Sequence, residues 1–243
     1  MMRKHPYEKL MDRKRKWSPV KPTVGTLKDG SEDTIRRALA ARHMELPVGT
    51  FIQEALEKNV PDNARKLLID NVKDEERHDL ALGYYADALG IKEDSQSEIE
   101  AKRIRDAWIN HPDHTITKAL VAERAIFFVL LPFFRFNGDA ALRTVSADIS
   151  RDEQIHVGSN SLVVAELGLS ISPSLDKLRK ATINWILEPL GINTTDKYLD
   201  KKFWLDASDR LMYEGKAPEF SETQRARMPA FFEHSNVNLP QYA

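Results

Sequence analysis

The chain has 243 residues and a formal net charge of −1, with 42 % apolar and 30 % charged residues. That length is ample for a buried core in one large or two small domains. The near-neutral balance gives no global electrostatic case for nucleic acid or an anionic membrane. Cysteine is absent, which excludes disulfides, thiolate nucleophiles, zinc fingers and iron–sulfur clusters, so any metal has to be held by His, Asp and Glu. Residues 1–17 are charged and lack the apolar stretch of a signal peptide. The longest apolar run, 125–134, is too short to span a bilayer. A soluble, cytoplasmic protein is the expectation.

In chain order, residues 1–30 read as an irregular N-terminal arm, with Arg13-Lys14-Arg15-Lys16 and with Pro19, Pro22, Gly25 and Gly30; a solvated tail is the expectation there. Helical patterning starts at Ser31 and predicts a helix to about 58, weakened or kinked at Pro47 and Gly49. Asn59-Val60-Pro61-Asp62 is a turn. Further helices are predicted over 62–89 and, more briefly, 97–110, with His111-Pro112-Asp113-His114 as a break. A third long helix covers 115–136, Asn137-Gly138-Asp139 turns the chain, and a fourth covers 140–167. Shorter helices follow at 174–187 and 195–213, then an extended tail from 217. No strand alternation stands out. The predicted class is all-α: a four-helix bundle over 31–169 and a C-terminal helical extension and tail, packed on the bundle, over 170–243.

A shift of 78 residues aligns two segments without a gap. Asp70, Asp74, Glu75, His78, Leu89 and Gly90 pair with Asp148, Asp152, Glu153, His156, Leu167 and Gly168. The same shift pairs Glu45 with Glu123, and each lies 30 residues before its Glu75 or Glu153 partner. The midpoints are residues 60 and 138, inside the two predicted turns. In an antiparallel hairpin, residues equidistant from the turn share a height. Glu45 therefore faces Glu75 and His78, and Glu123 faces Glu153 and His156, roughly 20 Å from either turn.

Residues i and i+3 share a helix face, so Glu-x-x-His aims a carboxylate and an imidazole at one place. Two such units plus one Glu from each remaining helix form the ligand set of a di-metal carboxylate bundle. Oxygen and imidazole ligands suit iron, with manganese possible. The expected metal ligands are Glu45, Glu75, His78, Glu123, Glu153 and His156, holding two Fe ions. Four carboxylates offset the charge of two divalent cations, whereas without metal they repel. With 37 acids in 243 residues and seven histidines, about one chance Glu/Asp-x-x-His is expected, so the unit alone is weak and the repeat carries the argument. Surface charges on amphipathic helices are the bland reading of the same residues. Glu54 competes with Glu45 but is 21 residues from Glu75 and pairs with Pro132 in the repeat. Glu76 points about 100° away from Glu75.

A metal-bound imidazole usually donates its other N–H to a carboxylate. Asp74 and Asp152 are the candidates, each serving the histidine of the opposite hairpin, with Arg77 as a partner for one of them. Ile126, Phe127 and Leu130 are candidate walls of a dry substrate pocket, though ordinary core accounts for them too. Tyr85, two turns after His78, is a weak redox candidate against a packed core role. His43, His111 and His114 have no matching partners and read as structural.

Asp74-Glu75-Glu76-Arg77-His78 resembles the Asp-Glu-x-Arg-His motif of the ferritin-like di-iron carboxylate superfamily, and Asp152-Glu153-Gln154-Ile155-His156 resembles it except at Ile155. The resemblance covers about 31–169 and implies an O2-activating or iron-oxidising centre on the six ligands above. Ser208-Asp209-Arg210-Leu211-Met212 and Phe231-Phe232-Glu233 resemble the C-terminal region of ribonucleotide reductase small subunits. Three departures separate the chain from that enzyme: a shorter stretch between His78 and Glu123, Leu82 where those subunits carry a radical tyrosine, and no acidic tail. Without cysteines it does not resemble rubrerythrin. The reading is an O2-dependent di-iron oxidoreductase, an oxidase or oxygenase acting with O2 on an unknown small molecule, with an electron-donor protein and a homodimer as further expectations. The rivals are a ferroxidase, a radical-generating partner subunit and a metal-free helical interaction protein.

Overall fold

The computed structural model describes residues 4–92, 95–218 and 220. Among them there is no strand, only an isolated bridge between Gly191 and Asp200, so the all-α class stands. The elements are α1 (Pro6–Met11), α2 (Glu32–Ala40), a 3-10 turn (Ala41–Met44), α3 (Glu45–Lys58), α4 (Asp62–Ala88), α5 (Gln96–Ile109), α6 (Thr115–Ala122), a π segment (Glu123–Phe127), α7 (Phe128–Asn137), α8 (Ala140–Glu166), α9 (Pro173–Ile186) and α10 (Lys201–Glu214). Four helical columns pack together: α3, α4, α8 and the continuous run from α6 to α7. Their inner faces are aliphatic and aromatic, with Val48, Ile52, Leu68, Leu82, Ile126, Leu130, Phe133 and Ile149 all buried.

The two hairpins end alike. α4 and α8 stop at Leu89 and Leu167, and Gly90 and Gly168 then adopt φ of 71° and 63°. Only glycine takes that conformation cheaply. The amides of Ile91 and Leu169 bond back to Ala86 and Val164 at 3.0 Å, the closing bond of a glycine C-cap.

Two of the expected helices are interrupted, one at a place other than the expected Pro47 or Gly49 and the other unexpectedly. The first is split by the 3-10 turn at Ala41–Met44. Pro47 falls in the first turn of α3, where its missing N–H costs least, so the break sits before Glu45 and not at the proline. The third carries the π segment that opens at Glu123. The carbonyl of Ala125 within it accepts a 2.7 Å bond from Ser208 of α10, and Ser208 accepts one of 2.9 Å from the buried Arg179 of α9. The C-terminal helices thus close the hydrogen-bond gap that a π segment opens. The helix expected over 195–213 is a 3-10 turn at Lys197–Leu199 followed by α10. The Phe231-Phe232-Glu233 reading lies outside the described residues.

The arm at 1–30 corrects a second expectation. It is not a solvated tail but a strap along α4 and α8. Tyr7 is buried and its hydroxyl donates to Glu166 at the end of α8. Leu10 lies where a side chain on Gly158 would meet it. Lys14 reaches Asp70 and Asp74, Trp17 reaches Asp152, Lys21 sits over the Tyr84 ring, and the Gly25 amide donates to Asp139 in the α7–α8 turn. A segment with prolines, glycines and a basic run carries no helical period, so its contacts leave no trace in the pattern.

Candidate metal centre

Glu45, Glu75, His78, Glu123, Glu153 and His156 are all buried, at 0–1 % exposure, and their side chains converge. Glu45 and Glu123 come from the two helix irregularities, on α3 and the π segment; the two Glu-x-x-His pairs come from α4 and α8. Gly49, one turn after Glu45, lets α3 approach α4 closely: a Cβ there would stand 3.4 Å from Glu75 Cβ.

The two imidazoles stack, with centroids 5.6 Å apart, and both turn Nδ1 towards the carboxylates. His78 Nδ1 lies 3.2 Å from Glu153, 3.6 Å from Glu75 and 3.8 Å from Glu45. His156 Nδ1 lies 2.8 Å from Glu75, 3.6 Å from Glu153 and 3.7 Å from Glu123. Glu75 and Glu153 therefore stand between both rings, while Glu45 belongs to His78 and Glu123 to His156. Glu45, Glu75, His78 and Glu153 form one group of mutually close ligand atoms, and Glu75, Glu123 and His156 form another, so the two groups share Glu75.

Nine of these atoms have no hydrogen-bond partner: both oxygens of Glu45, Glu75 and Glu153, Oε1 of Glu123, and Nδ1 of His78 and His156. An unsatisfied buried polar group costs about 1–3 kcal/mol, and more when charged. Such a concentration at one point fits cations as the missing partner.

The electrostatics agree. Burial, with Glu75 and Glu153 beside it, pushes Glu45 well above the usual carboxylate range despite His78. Burial does the same to Glu123, with Glu153 and Glu75 adding to it. Burial also raises Glu75, but His156 and His78 outweigh it and leave the group low. Burial lowers the histidines, yet the surrounding carboxylates win: His78 is driven well up, and His156 to about 10. Without metal, these shifts favour protonation of Glu45, Glu123 and the two imidazoles.

The Nε2 edges face the other way, across the hairpins. His78 Nε2 is 3.3 Å from Asp152, and His156 Nε2 is 3.1 Å from Asp74. Arg77 pairs with Asp74 and stands 4.0 Å from Asp152. The strap completes this layer. Lys14 is 2.5 Å from Asp74, while the Trp17 indole N–H donates to Asp152 at 2.7 Å and its ring stacks on His78. Burial raises Asp152, but His78 and Trp17 hold it below its usual value. Lys14 and Trp17 were missed in the sequence, as was Asn160, whose amide donates to Glu123 Oε2 at 2.7 Å. Asn160 follows His156 by one turn, and that spacing is the signal that would have found it.

The remaining candidates fall as follows. Glu54 and Glu76 are exposed. Ile126, Phe127 and Leu130 are buried in the common core. Tyr85 is buried, and its acidity is suppressed by burial and by Asp139, in the α7–α8 turn away from the cluster. His43 pairs with the buried Glu98 of α5, His111 contacts Ser174, and His114 caps α6. Among the described residues no helix is long and apolar enough to cross a membrane.

Among solved structures, the chain resembles a Bacillus halodurans protein provisionally described as a class I ribonucleotide reductase, with a TM-score of 0.58 over 85 % of this chain and 88 % of that one. The identity is 12 %, so the likeness is one of fold. No family model matches the chain, and no curated protein does.

Proposed function

We propose that the chain is an O2-dependent di-iron oxidoreductase, with manganese as an alternative metal, built on the fold it shares with the Bacillus halodurans protein. The observation that carries this reading is the set of nine unpartnered polar atoms from six buried residues facing one another. In it, Glu75, common to both ligand groups, and Glu153, close to both imidazoles, would serve both metal positions, with Glu45 and His78 completing one and Glu123 and His156 the other. An iron pair held there supplies the electrons that reduce O2.

The protein's part is positional and electrostatic. Asp152 and Asp74 accept the Nε2 protons of His78 and His156, which fixes each tautomer with Nδ1 inward and raises its basicity. Ile126, Phe127 and Leu130 provide an apolar wall that keeps water from the reacting side. A donor protein would return the electrons, and a small organic substrate would take the oxidising equivalent. Leu82, buried one turn after His78, and Tyr85, whose acidity is suppressed by burial and by Asp139, argue against a tyrosyl radical as the product.

The test is anaerobic loading with Fe(II) followed by O2 in a stopped-flow spectrometer. The oxidoreductase reading expects a transient visible absorption with about two Fe(II) consumed per chain. Oxidation of many Fe(II) per chain would make iron the substrate and assign a ferroxidase. A persistent organic-radical resonance would assign a partner subunit.

A further inference from the structure

The two metal positions have equivalent ligands but unlike surroundings. Glu123 has one oxygen, Oε2, committed to the Asn160 amide at 2.7 Å, which leaves Oε1 to face His156. The donor is the Asn160 NH2, which suits the carboxylate form that a metal would require. Glu45 has no such partner, and both of its oxygens are unpaired. The layer behind the histidines differs in the same sense. Asp74, behind His156, is offset by two cations, Lys14 and Arg77. Asp152, behind His78, is bonded by the neutral Trp17 indole, with Arg77 further away at 4.0 Å.

Both differences act in one direction. A glutamate with two free oxygens can chelate an ion and fill its coordination, whereas one tied through Oε2 offers a single oxygen. A histidine backed by an offset aspartate donates less charge to its metal. From this asymmetry, and resting on the metal-pair reading above, we propose that small anionic ligands bind at the Glu123/His156 position, and that Asn160 is the positioning residue that keeps that position open. The ion at Glu45/His78 is the more enclosed and more electron-rich partner.

Azide is the probe, titrated into iron-loaded, air-oxidised protein and followed by its charge-transfer absorption, after elemental analysis has established the metal content. Asn160→Leu frees Glu123 to chelate. It is expected to keep both irons while weakening azide by about tenfold or more and shifting the band. Asn71 is the control: it is equally buried, lies one turn before Glu75, and its side chain donates to Ser159 at 2.9 Å and makes no hydrogen bond to the six ligand side chains. Asn71→Leu is expected to leave azide affinity and the band unchanged. If Asn160→Leu does not fold, Asn160→Ser replaces it, too short to reach Glu123 and smaller than the pocket it vacates. Unchanged azide binding in a folded Asn160 variant, or an equal loss in the Asn71 control, overturns the proposal. Failure of the wild type to hold iron at all would overturn the metal-pair reading instead.

Discussion

The two hairpins make the same offer at the centre and different arrangements around it. α3–α4 and α6–α8 each contribute a lone glutamate, a Glu-x-x-His pair and a carboxylate for the other hairpin's histidine. Yet a 3-10 turn precedes Glu45 while a π segment opens at Glu123, and cations hold Asp74 while an indole holds Asp152. Ligand positions follow from helix period and turn placement, which a duplication copies whole. The surroundings come partly from the strap, α9 and α10, which occur once, and partly from repeat positions that differ, Arg77 against Ile155 and Asn160 against Leu82. Irregular helical turns of this kind recur at functional sites because they re-aim one side chain without disturbing the rest of the helix.

The strongest way to break the equivalence is to remove a bridge. Glu75→Ala/His156→Ala takes a shared ligand and a terminal one, and bound metal should fall from two ions per chain to none by elemental analysis. Next come the outer carboxylates. Asp74→Leu and Asp152→Leu should each weaken metal binding about 10–100-fold, measured by competition with a chelator. They should differ in stability. Asp74→Leu leaves Lys14 buried with only Asp70, at a cost on the order of 3 kcal/mol. Asp152→Leu leaves an indole N–H, at about 1–2 kcal/mol. Chemical denaturation of the metal-free proteins separates the two.

A pH series tests both halves together. In the metal-free protein the surrounding carboxylates raise both imidazoles, His156 to about 10, and burial raises Glu45 and Glu123 above the usual carboxylate range. These groups bind protons more tightly folded than unfolded. Their contribution is therefore full below the unfolded values, and it is lost as pH rises through the folded ones. The metal-free protein should melt at a higher temperature near pH 6 than near pH 9. Metal affinity should run the opposite way, because loading displaces the protons these groups hold. Calorimetry in buffers of different ionisation enthalpy counts them. The mildest probe is Trp17→Phe, which keeps a ring on His78 but removes the N–H to Asp152; a loss of about two- to fivefold in metal affinity is expected, since an outer partner is weakened and not removed.

The centre was legible because its signal is periodic. Glu75/Glu153 and His78/His156 recur at one shift, and Glu45 and Glu123 fall at mirrored distances from their turns, so one alignment places six residues. Leu89-Gly90 and Leu167-Gly168 mark the ends for the same reason, since a positive φ demands glycine. Lys14 and Trp17 were not legible. They reach the site through an aperiodic strap whose path is set by tertiary contacts, and a basic run reads as solvated until its acids are located. The π segment was hidden as well, because its free carbonyl is satisfied by Ser208, 83 residues away.

On the proposed reading, six buried side chains hold two ions. Anaerobic titration with Fe(II), followed by elemental analysis after gel filtration, tests it most directly. About two tightly held irons per chain are expected in the wild type and none in Glu75→Ala/His156→Ala. A wild-type protein that retains no metal, or a double variant that still holds two, would contradict it.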